Sequence, residues 1–217
     1  MRLVYFWEID ETKHDEWMNK LRPLVSAEKY NRAMRFRFPI DRMLTVCAEA
    51  LVRALACDRL NIRNRDIEFG QNEFGKPYLM GYPGFHFNVS HTRNALAAAV
   101  SDSEIGADIE RIRKADFKIA ARFFAPPERE FVLSSPDPDR AFCEIWTRKE
   151  AYVKFLGKGL SVSLPSFDTL GADIKKLTCV FERDSYLISV CGAGRGQVSI
   201  SGVDHGFIEG LGAAGSC

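Results

Sequence analysis

Apolar residues recur along this chain in two distinct periods. From Leu3 to Ile9 a run of branched and aromatic side chains predicts a strand, with a helical segment after it. Between Ile40 and Leu60 the apolar positions, Leu44, Leu51 and Leu55 among them, fall at helical spacing and predict the longest helix, with Asp41 as its N-cap. A short strand is predicted over Ile67 to Phe69, after which Gly70, Gly75, Pro77, Gly81, Pro83 and Gly84 punctuate a loop-rich stretch. Phe85 to Ser90, Ala95 to Val100 and Ile105 to Glu110 read as extended. The turn residues Ser101-Asp102-Ser103 between the last two predict a hairpin over residues 95–110. Helices follow over Phe117 to Phe124, from Glu128 after the Pro126-Pro127 break until Pro136 and Pro138, and over Phe142 to Leu156, where Gly157 and Gly159 stop the turn. Strands are predicted near Thr178 to Phe181, Tyr186 to Cys191 and Gln197 to Ile200, and the terminal GLGAAGSC reads as mobile. The layout is α+β, with no repeat, low-complexity block or long linker.

Composition changes this picture little. With 217 residues, 46% hydrophobic and 27% charged, the chain has ample material for one large domain or two intimately packed halves. A formal net charge of +1 gives no global field favouring nucleic acid, although Arg32, Arg35, Arg37 and Arg42 form a local cluster able to attract phosphate. The six cysteines are scattered without a C-x-x-C pair, which argues against structural zinc and for free thiols in a reducing cytoplasm. Glu8 and Asp10 interrupt what a secretory leader would keep apolar, and no uncharged apolar run of roughly 18 residues predicts a membrane span.

Candidate chemistry concentrates in a few segments. Asp108 and Glu110, two apart on a predicted strand, leave the same face. A hard divalent ion such as magnesium would let both stay ionised, while the same alternation also suits a plain solvated strand face. In W-T-R-K-E-A-Y-V-K, from Trp146 to Lys154, helical spacing puts Trp146, Lys149, Glu150, Val153 and Lys154 on one face, setting a carboxylate between two ammonium groups. That arrangement serves phosphate binding or an ordinary surface ion pair. Asn88-Val89-Ser90-His91 sets a hydroxyl beside an imidazole without the G-x-S-x-G elbow of a hydrolase, and both groups can serve as phosphate donors. Gly70 to Lys76 matches most of a Walker loop, but Pro77 stands where the magnesium-binding hydroxyl belongs, so an ATP-binding P-loop is rejected. His14, His86 and His205 read as surface or packing residues.

Taken in order, F-G-K-P (Phe74 to Pro77), F-N-V-S-H-T (Phe87 to Thr92), I-G-A-D-I-E (Ile105 to Glu110), R-F-F (Arg122 to Phe124) and W-T-R-K-E-A-Y-V-K-F-L-G-K-G-L (Trp146 to Leu160) resemble the Sfp-type 4′-phosphopantetheinyl transferases. The resemblance implies two structurally similar α/β halves, residues 1–103 and 104–217, packed as a pseudo-dimer with the active-site cleft between them. It implies a cytoplasmic monomer that moves the 4′-phosphopantetheine arm of coenzyme A to a serine of an apo carrier protein. Asp108, Glu110 and Glu150 would hold magnesium, or manganese in its place. Lys76, Ser90 and His91 would contact the nucleotide phosphates, Lys154 and less directly Lys149 the diphosphate, and Arg42 with Lys29 and Arg32 the 3′-phosphoadenosine end. Asp108 and Lys154 would act with Glu150, which, directly or through a bound water, would take the serine proton, with Glu128 as the other candidate base. The competing expectations are a non-catalytic coenzyme A or nucleotide-binding protein of the same fold and a hydrolase using water at the same metal site.

Overall fold

Both faces of the first strand are covered, and this two-sidedness organises the molecule. The computed structural model of the chain describes residues 2–192, 198–203 and 207. In β1 (Arg2–Glu8) Val4 and Phe6 turn to one core, while Leu3, Tyr5 and Trp7 turn to another. The chain continues through α1 (His14–Leu21), α2 (Ala27–Ala33), α3 (Pro39–Leu60), β2 (Phe69–Gln71), β3 (Pro77–Leu79), β4 (His86–Thr92), β5 (Ala95–Ser101) and β6 (Ile105–Arg111). Then come α4 (Phe117–Phe123), α5 (Pro126–Ser134), α6 (Pro138–Leu156), α7 (Ala172–Lys175), β7 (Thr178–Arg183), β8 (Tyr186–Gly192) and β9 (Val198–Gly202). The predicted mobile tail and His205 lie outside the described residues.

Two main sheets form, in the orders β4-β5-β1-β9 and β6-β8-β7, beside a small β2-β3 ribbon. Among the described residues all pairings are antiparallel except β1 with β9, which run parallel and bring the last described strand into the first sheet. The expected hairpin over residues 95–110 does not form. β5 already has two neighbours, joined to β4 through the Arg93–Asn94 turn and to β1 on its other edge, and all seven of its residues are buried. Ser101 to Glu104 instead carries the chain from one sheet to the other. The sheets then stack, with Ala95, Ala97 and Ala99 of β5 meeting Ile105, Ala107 and Ile109 of β6 and Ile188 and Val190 of β8 in one core. Alanines are weak strand formers by propensity, but a small side chain suits a strand pressed from both sides.

The helices close the outer faces. α3 lays Met43, Leu44, Cys47, Leu51 and Leu55 against Leu96, Ala98 and Val100, the other face of β5. It begins on Pro39, whose missing N–H leaves no donor unpaired, with Phe38 as N-cap. Asp41 therefore sits inside the first turn, where its charge still favours the helix dipole, and not at the cap. α6 covers β6 and β8. Among the described residues no helix is long and apolar enough to cross a membrane, and the five described cysteines are free thiols.

Close approach of α6 depends on one residue: a Cβ at Gly106 would collide with the Ala151 carbonyl and the Phe155 amide. Those are helix backbone atoms, which cannot swing aside. Gly106→Ala should therefore sit at or above the upper end of the roughly 1–3 kcal/mol typical of overpacking, which at about 2–4 °C per kcal/mol gives a clearly lowered Tm. A thermal melt matching the parent would show that α6 is not held this tightly.

Candidate active site

Alternation on two neighbouring edge strands builds the site. On β6, Ala107 and Ile109 point into the core between the sheets, so Asp108 and Glu110 leave the opposite face, toward α6. On β4 the residues Asn88, Ser90 and Thr92 share one face, and all three reach β6. Asn88 Oδ1 accepts the Ala107 N–H at 2.8 Å, Ser90 Oγ donates to Asp108 Oδ1 at 2.7 Å, and Thr92 Oγ1 lies 3.3 Å from Glu110 Oε2. Side chains thus join two edges whose backbones do not pair. From the last turn of α6, Lys154 Nζ donates to Asp108 Oδ1 at 2.7 Å and to Ser90 Oγ at 2.8 Å. Glu150 stands one turn earlier on the same helix.

Burial pushes Asp108, Glu110, Glu150 and His91 each toward its neutral form. Burial raises the Asp108 pKa, with Lys154 and Ser90 pulling against it. Burial, and then the Asp108 charge, raise Glu110, opposed by Arg113, Thr92 and Lys154. Burial and then Asp108 also raise Glu150, opposed by Lys154. His91 is held below the ordinary imidazole range by desolvation first and Lys154 second, while Asp41 and Asp108 pull it upward. These mutual influences gather Asp41, His91, Asp108, Glu110, Glu150 and Lys154 into one neighbourhood.

Three carboxylates, each disfavoured as an anion, lie in this neighbourhood, and their oxygens are the donor type that suits a hard cation. Asp108 Oδ2 is buried and, among the described residues, accepts no hydrogen bond within ordinary distance and angle. The residues therefore fit a divalent metal ion. The expected trio is nevertheless not drawn into a cage, since among the described residues no three His, Cys, Asp or Glu side chains are grouped to hold one. Magnesium commonly uses only one or two carboxylates, with waters and substrate phosphates completing its shell, so the donor set does not require such a cage.

Lys149, Glu128 and Lys76 are committed elsewhere. Lys149 does not face the seam: it is fully buried, donating to Glu128 Oε2 at 2.7 Å and to the Leu164 and Phe167 carbonyls, with its Nζ over the Phe167 ring. One position from Glu150 is a rotation of about 100° on a helix, which separates the two side chains. The expected diphosphate contact of Lys149 is thus corrected to a structural one. Glu128 is equally unavailable as a base: it is fully buried and accepts from the Ala125 N–H at 2.7 Å, the Thr169 N–H at 2.8 Å and the Thr169 hydroxyl at 2.7 Å. Lys76 Nζ is held by Glu104 Oε2 at 2.7 Å and the Ile105 carbonyl at 3.1 Å, near the C-terminal end of α6, where a cation also suits the helix dipole. Arg42 donates from Nε to the Phe36 carbonyl at 2.9 Å and is partly exposed. His91 is exposed.

Sequence reasoning missed Asn88 and Thr92. Their signal was present in the N-x-S-x-T alternation, which puts all three polar groups on the face that carries Ser90.

Comparison with known proteins gives the chain its relatives. Residues 9–103 match the family described as 4′-phosphopantetheinyl transferase, N-terminal, and residues 104–200 match the 4′-phosphopantetheinyl transferase superfamily. The 4′-phosphopantetheinyl transferase psf-1 of Bacillus pumilus is 38% identical over 161 residues, spanning 73% of this chain and 69% of that protein. The 4′-phosphopantetheinyl transferase Sfp of Bacillus subtilis (strain 168) is 31% identical over 166 residues, 76% and 74% of the two chains. HetI of Nostoc, also a 4′-phosphopantetheinyl transferase, is 32% identical over 166 residues, 73% and 70% of the two chains.

Two outcomes follow from the burial and charge of these groups. Lys149→Ala leaves Glu128 buried without its cation and should lower stability by about 3–5 kcal/mol, the usual cost of breaking a buried pair from one side. Chemical denaturation reads this, and an unchanged midpoint would return Lys149 to the site. Glu110 has a folded-state pKa above its unfolded one, so its ionisation near neutrality weighs against the fold. Below about pH 4 both states hold the proton and that term vanishes. Glu110→Gln should accordingly raise the Tm of the metal-free protein near neutrality, with a gain that shrinks as pH falls; a gain that grew on acidification would contradict the assigned shift.

Proposed function

Because this chain belongs to the 4′-phosphopantetheinyl transferase superfamily, we propose that it transfers the 4′-phosphopantetheine moiety of coenzyme A to a serine of an apo carrier protein, releasing adenosine 3′,5′-bisphosphate. The observation that carries the reading is the Lys154–Asp108 contact at the β4–β6 seam, with the second oxygen of Asp108 left unpartnered beside two further carboxylates. We read the two helix-on-sheet halves as a pseudo-dimer and the seam as the floor of the cleft between them. The enzyme would act as a cytoplasmic monomer.

The metal ion would be magnesium, or manganese in its place, held by Asp108, Glu110 and Glu150. When bound it would offset the negative charge of the diphosphate. The chain's own residues do the rest. Lys154 adds a fixed positive charge where the leaving bisphosphate gathers electrons, and it needs no reorganisation because Asp108 and Ser90 already hold it. Exposed His91 and partly exposed Arg42, with Lys29 and Arg32, provide the cationic and donor groups for the 3′-phosphoadenosine end. The carrier serine oxygen forms the new P–O bond, the bond to the bisphosphate oxygen breaks, and the serine proton passes to Glu150.

The test is to incubate the protein with magnesium, coenzyme A and an apo carrier domain and then to record the intact mass of the carrier. A gain of one phosphopantetheine arm is expected. An unmodified carrier with intact coenzyme A would favour a binding protein, and phosphopantetheine released into solution a hydrolase. Glu150→Ala should abolish the mass gain while the variant remains folded. Lys154→Ala should weaken coenzyme A binding by roughly 10- to 100-fold, as expected for losing a charge-assisted contact of about 1.5–3 kcal/mol. Calorimetry showing parental affinity at low and high salt alike would remove Lys154 from the phosphate site.

A further inference from the structure

Ser90 Oγ, Asp108 Oδ1 and Lys154 Nζ close a triangle with sides of 2.7, 2.7 and 2.8 Å. Counting protons fixes its directions. An ammonium has only protons to give, and a carboxylate oxygen receiving it at 2.7 Å is ionised and has only lone pairs to offer. The hydroxyl between them owns a single proton. It accepts from Lys154 and must therefore give that proton to Asp108 Oδ1. Nothing is left for Ser90 to donate to a phosphate, which is itself only an acceptor. Burial adds to this, since Ser90 is 7% and Asp108 4% exposed, so neither group can turn aside to water at no cost.

We infer that Ser90 is a positioning residue: it joins Lys154 in occupying Oδ1 of Asp108 and so presents Oδ2 as the oxygen offered to the metal ion, in place of the direct phosphate contact that the family resemblance implies. The inference rests on the proposed transferase reading and assigns to this chain a division of labour between the two oxygens of one carboxylate. Oδ1 is committed to the protein, and Oδ2, buried and without a hydrogen-bond partner among the described residues, is the oxygen left for a cation. Groups that orient a metal ligand in this way contribute about 10- to 100-fold to metal affinity when intact.

Two titrations on the full chain separate the roles. Coenzyme A is titrated calorimetrically in EDTA, and Mn²⁺ is titrated at saturating coenzyme A with the free ion followed by electron paramagnetic resonance. Both are run on the parent, on Ser90→Ala and on Ser90→Thr, which keeps the hydroxyl; a thermal melt identifies folded variants. Ser90→Ala should bind Mn²⁺ about 10- to 100-fold more weakly, a loss larger than any change in its coenzyme A affinity in EDTA, with Ser90→Thr recovering most of the loss. Should Ser90→Thr not fold, Ser90→Ala against the parent decides alone. Weaker coenzyme A binding in EDTA with unchanged Mn²⁺ affinity would overturn the inference and return Ser90 to phosphate contact. A parent that binds coenzyme A yet takes up no Mn²⁺ would overturn the metal reading beneath it, an outcome distinct from failure of Ser90 alone.

Discussion

A carboxylate withdrawn from water needs a cation, and in this molecule Asp108 finds only part of one in Lys154. That shared charge is what the rest of the architecture is arranged around. Lys154 reaches Asp108 because α6 lies directly on β6, and α6 lies there because Gly106 has no side chain. Asp108 faces α6 because strand alternation gives Ala107 and Ile109 to the core between the sheets. Ser90 meets it because the edge strand β4 runs beside β6 with its polar face turned inward. Each of these is an ordinary packing consequence, and together they set polar and charged groups from three elements within hydrogen-bond reach.

The seam is correspondingly poor in stabilising contacts. Where two sheet edges could have paired by backbone or been sealed with hydrocarbon, the chain offers an amide, two hydroxyls and raised-pKa carboxylates. The surrounding structure offsets this with large apolar clusters on both sides, while its other buried ion pairs, Glu49 with Arg53 in α3 and Glu128 with Lys149 behind α6, are held apart from the seam. Local destabilisation at a site held by a rigid surround is a common arrangement where a ligand is to supply the missing charge.

Much of this could be read from the residues in order. The branched and aromatic run at the start, the long helix, the D-x-E strand and the helix ending in G-K-G all stand close to where their spacing puts them. What escaped was non-local. Ser101-Asp102-Ser103 has good turn chemistry, but whether a turn joins paired strands depends on neighbours far away in the chain, and β5 already had two. Lys149 fell within a generous arc of helix that included Glu150, and only the later segment carrying Phe167 and the cap at Glu128 decides that it points inward. Asn88 and Thr92 gave no chemical signal alone because their role is to bridge to a strand in the other sheet.

The parallel pairing of β9 with β1 has a mechanical meaning. The chain leaves the first sheet, builds the second, and returns its final described strand to the starting edge, so the two halves are tied at both the Ser101–Glu104 crossing and the return of β9. A body tethered at two points resists the wide hinge opening that a single linker would allow. Opening between the two sheets is thereby limited to small sliding adjustments of side chains and loops, and Asp108, Glu110 and Glu150, carried by β6 and by the helix α6 packed on it, keep their mutual spacing.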